Sequence, residues 1–286
     1  MTVVIKVGGA RAVDPAGALA DVASLVADGE QVVVVHGGST KVDETLERLG
    51  VEPEYVETPS GVVGRFTDET TMEVFEMAFG HLNTQLVAGL QSEGVDAVGL
   101  TGVDGKLLYG PRKSAVRVVE DGKKKIRRGD HSGTIKQVNG DLLETLLDDG
   151  YTPVAAPPMA GDDDGDIIAV NTDADRSAAA IAGELDAQLV LLTDVEGVYA
   201  DPDDPSTLIE SVETASDWEA LEDAAEGFMG RKIMATEEAL DGGASEVVVA
   251  DANAESPILS ALDGGGTHIH ASALEQDTNQ TATEEQ

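Results

Sequence analysis

The sequence predicts an α/β fold in which a largely parallel central sheet lies between two helical layers, a three-layer αβα sandwich. Three observations carry this. Val3-Val4-Ile5-Lys6-Val7 and Val32-Val33-Val34-Val35-His36 are apolar runs without alternation, as expected of strands buried on both faces. Each run breaks at a glycine pair, Gly8-Gly9 and Gly37-Gly38, where the backbone can approach a ligand and offer N–H groups to an anion. Helix-period stretches separate the runs, so the chain opens β-α-β-α and needs crossover connections. Ligands of open α/β sheets bind beyond the carboxyl ends of the strands. The two glycine loops are therefore expected to face one site, with Lys6 directed at an anion.

The elements follow in order. Asp14-Pro15 signals a helix start, and Leu19, Val22, Leu25 and Val26 form its apolar stripe until Gly29. Val42, Leu46 and Leu49 mark a second helix, closed at Gly50. Residues 57–68 break the pattern with Pro59, Gly61 and Gly64 and display one cation, Arg65, which reads either as a solvated charge or as an anion ligand. A helix then runs to about Gly80. Three of the four phenylalanines, Phe66, Phe75 and Phe79, lie on or beside it, and in so aromatic-poor a chain this concentration reads as core or as a subunit interface, the interface being the expectation. A further helix near 82–93 leads into a strand over 96–100 and an insertion of hairpin character over 106–137. Leu142–Asp149 reads as a helix and Thr152–Ala156 as a strand. The acidic stretch 162–166 reads as an exposed turn, since no glutamate stands at calcium-loop spacing.

Asp173 caps the alanine-rich helix 177–185, and Asp175 lies in its first turn. The strand 188–192 ends in Thr193-Asp194-Val195-Glu196-Gly197-Val198-Tyr199, a polar turn where a nucleotide would sit. A loop over 201–205 follows. Lys232 opens the helix 233–240, a position the helix dipole disfavours for a cation, which points to a bound anion. Strands are expected over 246–250 and 267–270, then a disordered polar tail over 271–286. His268 and His270 have no acidic neighbours in sequence, so no metal site is assigned there.

Composition narrows the function classes. Acidic residues number 55 against 18 lysines and arginines, a formal charge of −37, which argues against nucleic-acid and anionic-membrane surfaces and suits a halophilic source. Cysteine is absent, which excludes disulfides and thiolate chemistry. No run reaches the ~20 apolar residues of a membrane span, and a strand begins almost at once, so a cytoplasmic protein without a leader is expected. Within 112–136, however, stand nine of the 18 cations: Arg112, Lys113, Arg117, Lys123, Lys124, Lys125, Arg127, Arg128 and Lys136, against Glu120, Asp121 and Asp130. A charge run is usually a solvated face; where cations are avoided elsewhere it reads as a dock for an acidic partner. The Walker A, kinase glycine-loop and dinucleotide fingerprints are all missing.

The ordered set Lys6-Val7-Gly8-Gly9, His36-Gly37-Gly38, Gly64-Arg65-Phe66-Thr67-Asp68, Asn171 to Asp175, Thr193-Asp194-Val195 with Gly197-Val198-Tyr199, and Gly230-Arg231-Lys232 resembles the amino acid kinase family and its acetylglutamate kinase branch. The resemblance implies that Lys6 and Lys232 neutralise the transferred phosphoryl group while Asp175 holds both lysines. It implies that Gly8, Gly9, Gly37 and Gly38 bind phosphate and acceptor oxygens, and that Arg65 and Asn171 grip the acceptor. Thr193, Asp194, Tyr199, Phe228 and Met229 fall where the family binds ATP, which brings Mg²⁺ with it; no separate metal site is implied. Residues 1–186 would form the acceptor-binding and dimerisation lobe and 187–270 the nucleotide lobe. The loop Thr58–Phe66 and the continuation Ser39-Thr40 resemble relatives that phosphorylate glutamate or α-aminoadipate attached to the small acidic carrier protein LysW. Lys123, Lys124, Lys125, Arg127 and Arg128 would then dock the carrier. Phosphorylation of free N-acetylglutamate and a non-catalytic nucleotide sensor are the alternatives. A homodimer through the Phe75/Phe79 helix, without arginine feedback, is also expected.

Overall fold

The computed structural model describes residues 1–8, 16–59, 61, 63–120, 122–225 and 228–275, with the Phe228 side chain outside that set. Strands β1 (Thr2–Val7) and β2 (Gln31–His36) are buried almost throughout, as their unbroken apolar runs require, and helix α1 (Ala16–Ala27) connects them. Helix α2 (Ser39–Arg48) leads to a separate two-stranded hairpin, β3 (Tyr55–Glu57) and β4 (Val63–Arg65), and then to α3 (Glu69–Ser92). Next come β5 (Ala97–Gly102), the long pair β6 (Leu108–Glu120) and β7 (Lys123–Gly133), β8 (Gln137–Val138) and α4 (Gly140–Asp148). After β9 (Thr152–Asp163), β10 (Asp166–Val170), α5 (Ala174–Glu184) and β11 (Gln188–Thr193), the chain adds β12 (Ser211–Val212), α6 (Ala215–Ala224), α7 (Phe228–Asp241), β13 (Glu246–Asp251), α8 (Pro257–Leu262) and β14 (Thr267–His270).

One 12-stranded sheet runs β12-β14-β13-β11-β1-β2-β9-β6-β7, with β5, β8 and β10 attached to β9 and β6. The pairs β13–β11, β11–β1, β1–β2 and β2–β9 are parallel. Their carboxyl ends therefore share one edge. Early strands extend from β1 to one side and later ones to the other, the arrangement that opens a crevice at an α/β sheet. Alternation along β1 sends Val4 to the face covered by α4, α5, α6 and α7, and Val3 and Ile5 to the face under α1, α3 and α8. That is the three-layer sandwich expected. Lys6, two residues from Val4, shares its face.

Four expectations change. The helix expected to end near Gly80 is one helix of 24 residues. Its glycine lies on the exposed side, and the ~1 kcal/mol it costs is outweighed by the packed face around it. Phe75 and Phe79 are each 3% exposed, stacked on one another and packed against Val42 and Leu46 of α2; they are core, and no interface can form through them. The tail does not begin at Ala271, because Ala271–Leu274 forms a 3-10 turn with Ala273 buried; residues 276–286 lie outside the described set. Lys232 does not open its helix, since α7 starts at Phe228, so the dipole penalty does not apply to it. Among the described residues no helix is long and apolar enough to cross a membrane.

Candidate active site

At the carboxyl edge of the sheet, three charged side chains from three elements converge. Lys6 Nζ from β1 lies 2.7 Å from Asp175 Oδ1, and Lys232 Nζ from α7 lies 3.0 Å from Asp175 Oδ2. Asp175 reaches them because Asp173 caps α5, accepting from the amides of Asp175 and Arg176 at 2.9 and 3.2 Å. All three side chains are at least 87% shielded from solvent. Burial works against the Asp175 charge, yet the two ammonium groups outweigh it and hold its carboxyl below the usual range. Burial, then the Lys6 charge, pushes Lys232 down. Each ammonium carries three donors; Lys232 gives one to Asp175 Oδ2, and Lys6 meets Oδ1 as an ion pair. The trio keeps a net positive charge with hydrogen-bonding capacity to spare, suited to an anion with several oxygens.

The second glycine loop is set by His36. Its ring Nδ1 lies 3.0 Å from the Gly37 carbonyl and its Nε2 3.3 Å from Asn83 Nδ2, so the neutral ring donates to the carbonyl and accepts from the amide. Gly37 donates its own N–H to the Val7 carbonyl at 3.0 Å, tying the two glycine loops together. That amide is engaged by the fold in this structure. Gly38 is closely packed: a Cβ there would lie 2.8 Å from a Leu82 methyl and 3.0 Å from the Phe79 ring, so both would have to shift. Gly8 stands at the end of β1; Gly9 lies outside the described residues.

Arg65 is not a solvated charge. Its side chain is 5% exposed and its Nη2 donates to Asp43 at 2.7 Å. Asn171 donates its Nδ2 to Thr67 Oγ1 at 3.4 Å and joins its backbone to His131 and Gly133. This places Asn171 between the segment after Arg65, the inner end of β7 and the start of α5. A bulge between β6 and β7 turns Asp130 inward, where it accepts from the Thr67 amide at 3.3 Å. Across the edge, Arg231 of α7 donates to the Val63 carbonyl of the small hairpin. Of the residues expected to bind nucleotide, Thr193 ends β11, directly beside β1, and Asp194 follows it, with Thr193 Oγ1 donating to Asp194 at 3.2 Å. Tyr199 is spent on Glu196 at 3.0 Å, and Met229 packs against the core under α7.

The basic hairpin divides by face. Register pairs Arg117 with Ile126, Val119 with Lys124 and Ala115 with Arg128, so these six share one side. Arg117, Lys124 and Arg128 are exposed there around Ile126, itself 68% exposed. On the other side Val118 is fully buried. Arg127 lies over the Phe66 ring at 4.1 Å and pairs with Glu54, on the side away from Arg117, Lys124 and Arg128. Lys123 and Lys125 are exposed near the tip, Lys125 paired with Glu120 at 2.8 Å. Ile126 was not singled out from sequence, and Arg117 was counted in the patch but not placed in the docking set; the alternation along the strand is the signal that would have found both. Asp43 and Tyr55, both against Arg65, left no sequence signal. His268 does have an acidic neighbour, Glu246 at 2.8 Å across β13 and β14.

A model of the amino acid kinase family matches residues 1–251. A [LysW]-aminoadipate kinase of Thermus thermophilus is 44% identical over 93% of this chain and 99% of its own length. An acetylglutamate kinase of Methanopyrus kandleri is 42% identical over 93% and 99% respectively. Among solved structures, the N-acetylglutamate synthase of Neisseria gonorrhoeae superimposes with a TM-score of 0.74 at 26% identity, over 94% of this chain and 59% of that one. Likeness that spans nearly the whole chain, together with two lysines sharing one aspartate at the sheet edge, has one reading: the chain belongs to the amino acid kinase family.

Proposed function

We propose that this protein transfers the terminal phosphoryl group of ATP to the side-chain carboxylate of glutamate or α-aminoadipate carried on the acidic protein LysW. The observation that carries the chemistry is the Lys6–Asp175–Lys232 arrangement, two ammonium groups at 2.7 and 3.0 Å from one carboxylate. Transfer between a phosphate and a carboxylate brings two anions together in line, so positioning and charge neutralisation dominate. The acceptor is already ionised at neutral pH and needs no general base. Lys6 and Lys232 face the developing charge, Asp175 keeps them apart and oriented, and Arg65 with Asn171 holds the acceptor. Thr193 and Asp194, at the end of β11, lie on the nucleotide side. Among the described residues no group of three or more His, Asp or Glu is placed to hold a metal; Mg²⁺ would enter with the nucleotide and neutralise its phosphate oxygens.

The carrier link rests on the named relatives and on the exposed cations of the hairpin. The test is ATP turnover with LysW-linked glutamate, LysW-linked α-aminoadipate and free N-acetylglutamate in parallel, at high salt. Turnover confined to the linked acceptors supports the reading. Comparable kcat/KM on free N-acetylglutamate favours the second reading, which the Methanopyrus kandleri relative keeps in view. ATP binding without turnover on any acceptor overturns both. For the homodimer, the solvent side of α3, where Met77 is 55% exposed, is the contact on that helix in place of the buried phenylalanines. Light scattering that returns the monomer mass would exclude it.

A further inference from the structure

Among the described residues, every hydrogen bond of the Arg65 guanidinium falls on one nitrogen. Nη2 donates to Asp43 Oδ1 at 2.7 Å, to the Tyr55 hydroxyl at 3.1 Å, and to the Ser39 carbonyl and hydroxyl at 3.1 and 3.4 Å. The Tyr55 hydroxyl donates in turn to the other Asp43 oxygen at 2.9 Å, closing a ring of three side chains. The Tyr55 and Phe75 rings lie 5.4 and 5.1 Å from the guanidinium carbon, contacts favoured by the charge on the guanidinium. Nε is buried and has no partner among the described residues.

We propose that Asp43 and Tyr55 are positioning residues for acceptor recognition. They pin Nη2 so that Nε and Nη1 stay available to the acceptor's carboxylate. This rests on the assignment of Arg65 to the acceptor. A guanidinium has five donors; an arginine free to rotate would lose that freedom on binding, whereas one already clamped does not. The clamp also joins elements. Asp43 belongs to α2, which begins just after the second glycine loop, while Tyr55 and Arg65 face each other across β3 and β4. That hairpin pairs with no strand of the main sheet. The Tyr55 hydroxyl thus fixes the hairpin and its arginine to the acceptor side of the site together.

The test is steady-state kinetics of Tyr55→Phe, Asp43→Asn, Arg65→Ala and the double variant Tyr55→Phe/Arg65→Ala. It uses whichever carboxylate acceptor the wild type turns over, so it does not depend on the carrier link. Tyr55→Phe, which keeps the ring, is expected to raise the acceptor KM about tenfold, the effect of loosening one charged hydrogen bond. KM for ATP and kcat should stay within about twofold. In the Arg65→Ala background the same substitution should add nothing. An equal rise with and without Arg65 overturns the clamp, as does an ATP KM that moves as far as the acceptor KM. A raised acceptor KM in Arg65→Ala with Tyr55→Phe silent overturns the clamp alone. An acceptor KM unchanged in Arg65→Ala overturns the assignment of Arg65 and the clamp with it. Should Asp43→Asn fail to fold, Tyr55→Phe decides.

Discussion

Acidification should weaken this protein at a definable place, the second glycine loop. His36 is 2% exposed, and burial lowers its pKa from 6.5 to about 4, the hydrogen bond to the Gly37 carbonyl only partly offsetting this. Protonation would set a new N–H of Nε2 against the amide nitrogen of Asn83 at 3.3 Å. Because the folded value lies below the unfolded one, the unfolded chain binds more protons between the two. Stability from this group is therefore complete above pH 6.5 and is lost as pH falls through about 4. The full gap is worth ~3 kcal/mol, and most of it is reached by about pH 4.5. Urea unfolding at high salt, followed by fluorescence of the single tryptophan, Trp218, which is 8% exposed on α6, measures this. His36→Asn removes the titrating ring while keeping a donor and an acceptor. Between about pH 7 and pH 4.5 the wild type should lose ~2–3 kcal/mol more than the variant, the contribution of the many carboxylates cancelling in the comparison. Parallel losses in the two proteins would refute the reasoning.

Lys6→Ala and Lys232→Ala should each lower kcat by about two to three powers of ten; near-wild-type turnover in either removes the mechanism. Since burial pushes Lys232 below its ordinary value and the ammonium form is the working one, kcat should fall on the alkaline side before an unperturbed lysine titrates. Lys232→Arg should shift that limb upward in the pH–rate profile. Reversing charge on the outer hairpin face, Lys124→Glu with Arg128→Glu, should raise KM for a carrier-linked acceptor at least ~tenfold and leave free N-acetylglutamate unaffected; equal effects on both acceptors would discard the dock. Asp21, 4% exposed on α1, accepts from the amides of Ile258 and Leu259 at 2.8 and 3.2 Å. Asp21→Ala should therefore cost ~1–2 kcal/mol by urea unfolding.

The parts of the site carried by strongly periodic elements were legible in sequence. β1 and β2 announce themselves as unbroken apolar runs, and their glycine pairs mark the ligand edge. Asp173 behaves as the cap it looks like. The resemblance to a known family, rather than periodicity, placed Lys232 and Asp175 together. What stayed hidden depends on contacts between elements. β3 and β4 have three residues each, too short for an alternation to show, and they sit in a stretch broken by proline and glycines. The ring of Asp43, Tyr55 and Arg65 draws on three elements. Phe75 and Phe79 looked like an interface because aromatics are scarce, yet scarcity says nothing about which side of a helix is covered; α2 covers it. The start of α7 was masked by Gly227 and Gly230, residues that usually break helices, whereas Met229 and Ile233 pack against the core there.

The distribution of cations ties the acceptor side to the hairpin. Half of the chain's 18 cations stand in or beside the hairpin, and they divide between its two sides. Arg65 and Arg112 are drawn into pairs with Asp43 and Asp163 at 2.7 and 2.6 Å, and Arg127 into one with Glu54. Arg117, Lys124 and Arg128 have no ion pair among the described residues and surround Ile126 on one face. In concentrated salt the screening length shrinks to ~3 Å at 1 M, so long-range steering cannot deliver an acidic partner there. A partner docked there in such salt would have to be recognised by contact, and an exposed isoleucine ringed by three cations offers both burial of apolar area and short-range pairing. Behind that face, Arg127 rests on Phe66 and holds Glu54, the residue next to Tyr55. A partner seated on the outer side of the hairpin is thus separated from the arginine clamp by one layer of side chains. Docking and acceptor binding would use the same wall of the protein from its two sides.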